Sequence, residues 1–499
     1  MQNDKYVAAV DQGTTGTKCL IFDINGKVII KAYKRHRQIL PKEGWVEHDP
    51  LEILSNVKFV LSSAINSAKL EAKDITAVGI SNQRETTVLW DKKTGMPLSN
   101  AIVWQDLRTQ DIIKKIKDNR NEKEIEQKTG LKMSAYFSAS KIKWLIDNSD
   151  KIKRLLAEKR VLAGNIDSWL IWKLTSEKRH LTDYTNASRT LLMNLRTKEW
   201  DSDMLEIFRI PEDILPEIKP SINNEGFGTI NYSNFKGVRI TGVLGDQQAA
   251  LLGERAISDS DIKVTYGTGS FILQNTGRKI KRQKGLLTTC AYGASKNDCN
   301  YALEGSVPIS GEIFDWLEEL GVMKSFSEIK DAIASGLDIN LFLVPAFSGL
   351  FSPYWDESAR GIIIGLTRKS NRLDFIKAAA YSICLQVVDI IKRMENLNDK
   401  INVDGGVASN DYIMQLQANL LEKRIYRSDL VEESAFGAAL SAGISSGIWN
   451  FNSIKNLNRS GRYFYPKVDS KIYNLIYSKW VDAVKRSRNW NKSFKYNKN

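Results

Sequence analysis

The sequence predicts an α/β protein made of two similar domains, on three observations. Short β-branched runs alternate with longer amphipathic stretches along the chain, a pattern typical of strands and helices that share one core. The 499 residues exceed one ordinary hydrophobic core, so two or three domains are expected. An apolar strand, a Gly-Thr turn and a second apolar strand also occur twice, around Gly13 and around Gly267, about half the chain apart. We therefore predict a first half at residues 1–252 and a second half at 253–499.

The first half is predicted to open with three strands, a helix and a fourth strand. Asn25-Gly26 is a hairpin turn signal, and Asp49 followed by Pro50 is typical of a helix cap and first helical position. The helix is expected over residues 51–70. The predicted strands are YVAAV, KCLIFDI, KVIIKAY and, after the helix, ITAVGI. This order indicates a mixed sheet.

Composition excludes several classes of protein. The four cysteines form no CxxC pattern and the histidines number only three, which argues against a disulfide framework, a zinc site or a multi-histidine metal site. No apolar run approaches the roughly 18 residues of a membrane span, and the N-terminus lacks a signal-peptide pattern. We expect a cytoplasmic protein with no membrane span, and an enzyme of this composition would use Asp or Glu as its general base.

The net charge of +14 permits nucleic acid, an anionic membrane or small anionic ligands as partners. The charge is mostly diffuse and is densest in the tail from Lys485, which favours a solvated tail. Phosphate-bearing substrates suit the sign equally well. We expect no nucleic-acid partner.

The two Gly-Thr turns are candidate phosphate sites. The chain has neither a GxxxxGK[ST] loop nor a GxGxxG loop, but successive backbone N–H groups around glycine can still form an anion nest, to which threonine hydroxyls add donors. In the first turn, DQGTTGTK, Lys18 can supply a point charge and Asp11 can hold Mg²⁺. A plain hairpin turn without a ligand remains the alternative.

Three further motifs can carry chemistry. The segment INVDGGVASN combines a strand, two glycines and the start of a helix near Asn410; it permits close approach of a phosphate or planar group, or is only a tight turn. Arg84 and Glu85 follow the strand ITAVGI at the edge where α/β proteins bind ligands, or form a surface ion pair. Asp246, between a strand and a helix, can accept a proton, cap the helix, or do both. Aromatic residues near these motifs can wall a pocket or pack in the core; they are Trp104, Tyr136 and Phe271.

Together and in this order, the motifs resemble the FGGY carbohydrate kinases, and within that family the members that act on glycerol. The resemblance runs from about Tyr6 to about Trp449. Its motifs include DQGTT, GWVEHDP, NQRETTVLW, AIVWQDLRT, YFSASKIKWLIDN, TDYTNASRT, GDQQAALLGE, TYGTGSF, YALEGS, PYWDESARG and VDGG.

The resemblance implies two ribonuclease H-like domains of the actin-like ATPase kind with a cleft between them, and Mg²⁺-dependent transfer of phosphate from ATP to glycerol, giving sn-glycerol 3-phosphate and ADP. Asp246 would be the catalytic base, with Asp11 and Asp246 near the metal. The implied polyol contacts are Arg84, Glu85, Trp104, Tyr136, Asp246, Gln247 and Phe271. The implied nucleotide contacts are Thr14, Thr15, Gly16, Lys18, Thr268, Gly311, Asp315, Gly406 and Asn410. A homodimer or homotetramer would follow by analogy.

The chain departs from the family pattern at three of these positions. Relatives that act on glycerol usually have serine at Gly16, arginine at Lys18 and glutamine at Asp315. Lysine offers a point charge where arginine offers a planar fork, so altered nucleotide contacts are expected. Another polyol or sugar kinase, or a non-catalytic binding protein on the same fold, remain the alternative functions.

Overall fold

The structure, a computed structural model, describes residues 5–118, 122–336, 339–457, 460–467 and 470–490. The part of the predicted basic tail beyond residue 490 lies outside this range. The fold contains two large mixed sheets, one in each half of the chain, and the α/β prediction with two similar domains is confirmed.

The first half supplies strands β1 to β14 and helices α1 to α9. The strands are β1 (Tyr6–Gln12), β2 (Gly16–Phe22), β3 (Val28–Arg35), β4 (Glu47–His48), β5 (Ile75–Asn82), β6 (Thr87–Asp91), β7 (Ala101–Ile102), β8 (Val161–Asn165), β9 (Leu181–Asp183), β10 (Met193–Asn194), β11 (Glu199–Trp200), β12 (Glu217–Lys219), β13 (Gly228–Thr229) and β14 (Arg239–Gly245). The helices are α1 (Pro50–Ser67), α2 (Gln110–Lys117), α3 (Glu122–Thr129), α4 (Ser138–Asp147), α5 (Asp150–Ala157), α6 (Ile166–Leu174), α7 (Tyr184–Ala187), α8 (Ser202–Phe208) and α9 (Asp246–Gly253).

The first large sheet has the strand order β13-β14-β5-β1-β2-β3. Strands β1, β2 and β3 form an antiparallel meander, whereas β5 and β14 run parallel to β1 on its other side. Helix α1 begins where the sequence predicts, with the Asp49 carboxylate accepting a hydrogen bond from the Leu51 amide at 2.8 Å, which satisfies one of the free amides of the first turn. The helix ends at Ser67, three residues before the predicted end.

The second half supplies the remaining elements. The strands are β15 (Ile262–Tyr266), β16 (Ser270–Asn275), β17 (Leu287–Gly293), β18 (Cys299–Val307), β19 (Phe342–Val344), β20 (Ile362–Ile364), β21 (Lys400–Asp404), β22 (Arg424–Ser428) and β23 (Gly461–Phe464). The helices are α10 (Glu312–Glu319), α11 (Ile329–Ala334), α12 (Arg372–Ile391), α13 (Asp411–Leu421), α14 (Glu433–Ser445), α15 (Phe451–Asn456) and α16 (Ser470–Ser487).

The second large sheet repeats the plan of the first. Its order is β17-β18-β16-β15-β21-β22-β23. Strands β15, β16 and β18 are antiparallel neighbours, and β21 and β22 run parallel to β15 on its other side. The strand that opens each half therefore has an antiparallel partner on one flank and parallel strands on the other. The carboxyl ends of the parallel strands, where α/β proteins bind ligands, carry the predicted motifs in both halves.

The two halves are joined by more than the chain between them. Helix α14 belongs by sequence to the second half, yet it packs on β5, β14 and α9 of the first. Its small residues, including Gly437, Ala438 and Ala439, are buried in that contact. The predicted boundary at residues 252 and 253 stays a prediction.

Among the described residues, none of the helices combines the length and the apolar character needed to cross a membrane. The four cysteines are free thiols, and all are buried.

Candidate active site

The first Gly-Thr turn connects β1 to β2. The Gly13 amide donates to the Gly16 carbonyl at 2.9 Å and closes the turn, and Asp11 lies opposite Lys18 in the register of the two strands. Burial raises the pKa of Asp11, while the charge of Lys18 opposes that shift. The threonines of the turn therefore follow a facing pair of one carboxylate and one ammonium group.

Gly16 is required by its surroundings. A Cβ at this position would lie 2.6 Å from the ring of Tyr33 and 2.8 Å from the carbonyl oxygen of Lys34. The Tyr33 ring occupies the space that a side chain at residue 16 would need. The departure from serine at this position is thus coupled to a tyrosine on the neighbouring strand β3.

Lys18 is held by a carboxylate from the second half. Its Nζ lies 2.5 Å from the Glu432 carboxylate, which also pairs with Lys31. Burial opposes the charge of Lys18, but Asp11 and Glu432 outweigh it, so the Lys18 pKa lies above its ordinary value. The ammonium group stays charged and has two carboxylates beside it.

Two histidines lie behind the first turn. The rings of His36 and His48 meet edge to face at 4.5 Å, and His48 hydrogen-bonds Gln38 at 2.8 Å and Gln83 at 3.2 Å through its two ring nitrogens. Gln38 in turn donates to the carbonyl oxygen of Thr14 at 2.9 Å. Burial lowers the pKa of His48 to about 3, so a neutral imidazole supports the turn.

The second Gly-Thr turn connects β15 to β16 and forms one wall of a cavity of about 370 Å³. The Gly267 amide donates to the Gly269 carbonyl at 2.9 Å, and the Gly267 carbonyl accepts from the Gly311 amide at 2.9 Å. Four of the predicted nucleotide contacts line this cavity together: Thr268, Gly311, Asp315 and Gly406. The structure therefore brings these residues to one place, and their contact with a nucleotide stays a prediction.

The cavity at the second turn has an acidic side. Glu312 and Glu318 line it with Asp315, and burial together with the charge of Asp315 raises the pKa of Glu312. Asn410 has a different place: its side-chain oxygen accepts from the amides of Tyr412 and Ile413 and caps helix α13. That oxygen is committed to the helix, which leaves the amide nitrogen for a ligand.

Arg84 and Glu85 are buried and take part in an ion-pair cluster. Both Nη atoms of Arg84 donate to Glu304, at 2.8 and 2.9 Å, and Glu85 accepts from the Nε of Arg189. Arg189 Nη1 lies 3.3 Å from Glu304. A surface ion pair, the alternative weighed for Arg84 and Glu85, is thus excluded, because each is at most 2% exposed.

Asp246 is the first residue of helix α9, directly after β14. One of its carboxylate oxygens lies 3.3 Å from Arg84 Nε and accepts from the Gln247 amide at 2.7 Å. Burial raises the Asp246 pKa, Arg84 opposes this, and the charge of Asp11 adds to it. Nearby, Lys263 donates to the Gln247 side chain at 2.6 Å, and burial lowers the Lys263 pKa to about 8.

Aromatic rings from both halves gather beside these charges. Trp104 meets Tyr136 at 5.7 Å and Phe271 at 6.1 Å, both edge to face, and Tyr136 also meets Phe351 at 5.8 Å. The Trp104 indole donates to the Thr14 hydroxyl at 2.9 Å. The aromatic group is thereby tied to the first Gly-Thr turn.

A buried lysine holds the segment that carries Tyr136. Lys141 Nζ donates to the carbonyl oxygens of Ala135 at 2.8 Å and of Tyr136 at 2.6 Å. Burial lowers the Lys141 pKa to about 7. These bonds fix the backbone at the start of helix α4 and so the placement of the Tyr136 ring.

Sequence reasoning missed several side chains of this site. Glu304 and Lys263 are charged residues inside apolar strands, β18 and β15, and such charges are buried only when paired; that signal was available. Arg189, Phe351 and Glu432 had no comparable signal, because their role depends on contacts between distant segments.

Two sequence models of one family together match most of the chain. The N-terminal domain of the FGGY family of carbohydrate kinases matches residues 6–253, and its C-terminal domain matches residues 262–446. The chain belongs to the FGGY family of carbohydrate kinases.

Individual relatives narrow the comparison. The chain is 42% identical to a glycerol kinase of Haloferax volcanii over 98% of this chain and 99% of the relative. It is similar to the crystal structure of Plasmodium falciparum glycerol kinase with ADP, with a TM-score of 0.89, 36% identity and coverage of 97% and 98% of the two chains. A ligand-bound xylulose kinase from Lactobacillus acidophilus shares the fold, with a TM-score of 0.86, 24% identity and coverage of 98% and 100%.

Proposed function

We propose that this protein transfers the γ-phosphoryl group of ATP to a terminal hydroxyl of glycerol, giving sn-glycerol 3-phosphate and ADP. The observation that carries the proposal is the position of the Asp246 carboxylate, 3.3 Å from Arg84 Nε at the head of a helix that begins where strand β14 ends. The identity of 42% to a protein named glycerol kinase, over 98% of the chain, supports the same substrate.

Asp246 acts as the general base. Its raised pKa, caused first by burial and then by the charge of Asp11, brings the carboxylate closer to the basicity that proton abstraction from a hydroxyl needs. The positive charge of Arg84 opposes that shift and favours the ionised form of Asp246. Asp246 therefore takes the proton of the attacking hydroxyl as the oxygen approaches phosphorus.

Polyol recognition uses polar and aromatic groups together. Arg84, Glu85 and Gln247 offer donors and acceptors to hydroxyl groups, whereas Trp104, Tyr136 and Phe271 cover the carbon skeleton. Because polar groups left unpaired in such a site cost binding free energy, the set selects a ligand with several adjacent hydroxyls. Glycerol, with three hydroxyls on three carbons, satisfies this.

Nucleotide binding uses the two turns and the cavity beside the second. Thr14, Thr15, Gly16 and Lys18 contact phosphate oxygens from one side and Thr268 from the other, with the rest of the nucleotide near Gly311, Asp315, Gly406 and Asn410. Phosphoryl transfer depends mainly on positioning and on stabilisation of charge. The backbone amides and hydroxyls of the two turns, with Lys18, supply both the positioning and the charge stabilisation.

Asp11 and Asp246 suit Mg²⁺, which takes one or two protein carboxylates and completes its shell with water and phosphate oxygens. In the described residues no group of three or more His, Cys, Asp or Glu is arranged to hold a metal by itself, which matches a metal that arrives with a nucleotide. Bound Mg²⁺ would neutralise phosphate charge. The cytoplasmic location and the homodimer or homotetramer are further parts of this proposal.

A coupled assay of ADP release, with and without glycerol, tests the proposal. Turnover that requires both ATP and glycerol is the expected result. A panel with xylulose, gluconate and ribitol separates glycerol phosphorylation from the other activities on this fold. ADP release that none of these substrates stimulates would mean a binding protein, and preference for a five- or six-carbon substrate would mean another polyol or sugar kinase.

A further inference from the structure

Glu304 stands out because it is fully buried in a strand of the second half yet pairs with arginines of the first. It lies in the middle of β18, in register with Leu273 of β16, and its side chain is 0% exposed. Both of its oxygens accept from the two Nη atoms of Arg84, at 2.8 and 2.9 Å. This two-bond fork fixes the plane of the guanidinium group.

The same carboxylate is the partner of a second buried arginine. Arg189 Nη1 lies 3.3 Å from Glu304, and in the described part of the chain neither Nη atom of Arg189 has a hydrogen-bond partner. The Nε of Arg189 donates to Glu85. The five side chains therefore alternate in charge, in the order Glu85, Arg189, Glu304, Arg84, Asp246.

We infer that Glu304 is a positioning residue of the polyol site, through which the second half fixes how Arg84 and Glu85 meet the substrate hydroxyls; the inference rests on the proposed function. Arg84 also donates from Nη1 to the Gln248 side chain at 3.2 Å, and its Nε faces Asp246. One Nη2 proton is therefore left for a substrate hydroxyl. The Arg84 guanidinium also lies 5.7 Å from the centre of the Phe271 ring, so carboxylate and ring orient it from two sides.

The charge of Glu304 also keeps Arg84 from binding the Asp246 carboxylate too closely. Without it, two buried guanidinium groups would face only Glu85 and Asp246, and Arg84 would draw the Asp246 carboxylate into a closer ion pair. A buried charge left without its partner is strongly unfavourable, so such a rearrangement is expected. The oxygen of Asp246 that should accept the hydroxyl proton would then be bound to Arg84.

The test compares Glu304→Gln with wild type in steady-state kinetics. Glutamine keeps the size of the side chain and removes the charge. We expect the KM for glycerol to rise at least tenfold and kcat to fall, with the KM for ATP changed less than twofold. Glu304→Asp, which restores the charge at shorter reach, should recover part of the loss. Glu254→Gln is the matched control, because Glu254 is also a buried carboxylate and follows the far end of helix α9.

Three outcomes would overturn the inference: wild-type constants in folded Glu304→Gln, equal rises in both KM values, or the same changes in the Glu254→Gln control. If Glu304→Gln does not fold, Arg189→Lys is measured instead, because lysine keeps the positive charge but lacks the planar group. We expect a severalfold rise in the KM for glycerol and no change in the KM for ATP. An unchanged KM for glycerol overturns the inference. Glycerol-dependent turnover of the wild type is measured first. Its absence contradicts the proposed function, and Glu304→Gln is then judged by calorimetric binding of the same polyol panel, where wild-type affinity overturns the inference.

Discussion

The two Gly-Thr turns share a backbone and differ in charge. Each connects an opening strand to its antiparallel partner, and in each the first glycine amide donates at 2.9 Å to a glycine carbonyl across the turn. In the first hairpin, Asp11 and Lys18 form the second pair of facing strand residues counted from the turn. In the second hairpin the equivalent pair is Thr265 and Phe271.

The residues that support the two turns also differ in charge. The first is supported by a histidine pair and by a lysine bound to Glu432, whereas the second is supported by backbone contacts with Gly311 and opens on a cavity. One repeated scaffold has therefore been specialised, with charge in the first turn and shape in the second. Each of the following predictions tests that division.

The largest effect is expected at Asp246, which belongs to neither turn. If the turns only position phosphate, Asp246→Asn should lower kcat by about 10²–10⁴-fold, the usual contribution of a general base, and leave the fold intact. ADP release measures kcat, and circular dichroism checks the fold. Near-normal turnover of the folded variant would assign proton transfer to another group.

The next effect tests shape at the second turn. In Gly311→Ala the added Cβ would lie 2.7 Å from the Gly267 oxygen and 2.9 Å from the Val407 side chain, so the turn must move. We expect the KM for ATP to rise about 10²-fold, as for other small misplacements in active sites, with glycerol affinity unchanged.

Gly406→Ala is the comparison variant for Gly311→Ala. Gly406 lines the same cavity, but a Cβ there would have no heavy atom within 4 Å. Its melting temperature should equal that of the wild type, and any rise in the ATP KM would report contact with the nucleotide itself. Equal ATP KM values for Gly311→Ala and wild type would remove the second turn from the nucleotide site.

A pH experiment tests the histidine support of the first turn. Burial, with a smaller effect of the His36 charge, lowers the His48 pKa to about 3. Burial also lowers the His36 pKa, and a hydrogen bond with the Thr14 backbone and the charge of Glu52 oppose that shift. Below pH 6.5 the unfolded chain binds a proton at His48 that the folded chain refuses, so stability falls as pH falls. One such group removes about 1.4 kcal/mol per pH unit.

The measurement is the free energy of unfolding in urea from pH 7.5 to pH 5. We expect His48→Gln to lose about 2 kcal/mol less than wild type between pH 6.5 and pH 5, since glutamine also hydrogen-bonds Gln38 and does not titrate. Parallel curves for the two proteins would show that His48 is protonated in the folded state.

The smallest effect concerns the charge of the first turn. Glu432→Gln should release Lys18 for phosphate and lower the ATP KM by about two- to fivefold, the range of a partly exposed ion pair. Lys31→Gln should raise the KM for ATP slightly, because Glu432 then pairs with Lys18 alone. Identical ATP KM values in Glu432→Gln and wild type would mean that Lys18 does not reach the nucleotide.

Local signals were enough to predict much of the fold. Strands β1 to β3, the Asp49 cap of α1 and the Gly-Thr turns all follow from patterns within a few residues. The repeat of the turns also predicted two similar domains. The path of helix α14 could not be predicted, since nothing in a small-residue helix specifies which sheet it covers.

The residues of the candidate site also fall into those that local sequence predicts and those that only the fold brings together. Asp246, Arg84 and the glycines stand at the ends of strands, where position along the sequence determines position in the sheet. Glu432 acts on Lys18 across more than 400 residues, and no local pattern announces such a partner. The glycine at residue 16 is likewise explained by the next strand, through the Tyr33 ring and the Lys34 carbonyl oxygen.

Helix α14 also constrains how the protein is made. The last strand of the first sheet ends at residue 245. The face of that sheet that α14 covers stays uncovered until residues 433–445 have been synthesised. For nearly 190 residues of synthesis that apolar face has no final partner. A fragment ending at residue 252 would carry the same exposed surface permanently, so the two halves are completed together although each begins with its own hairpin.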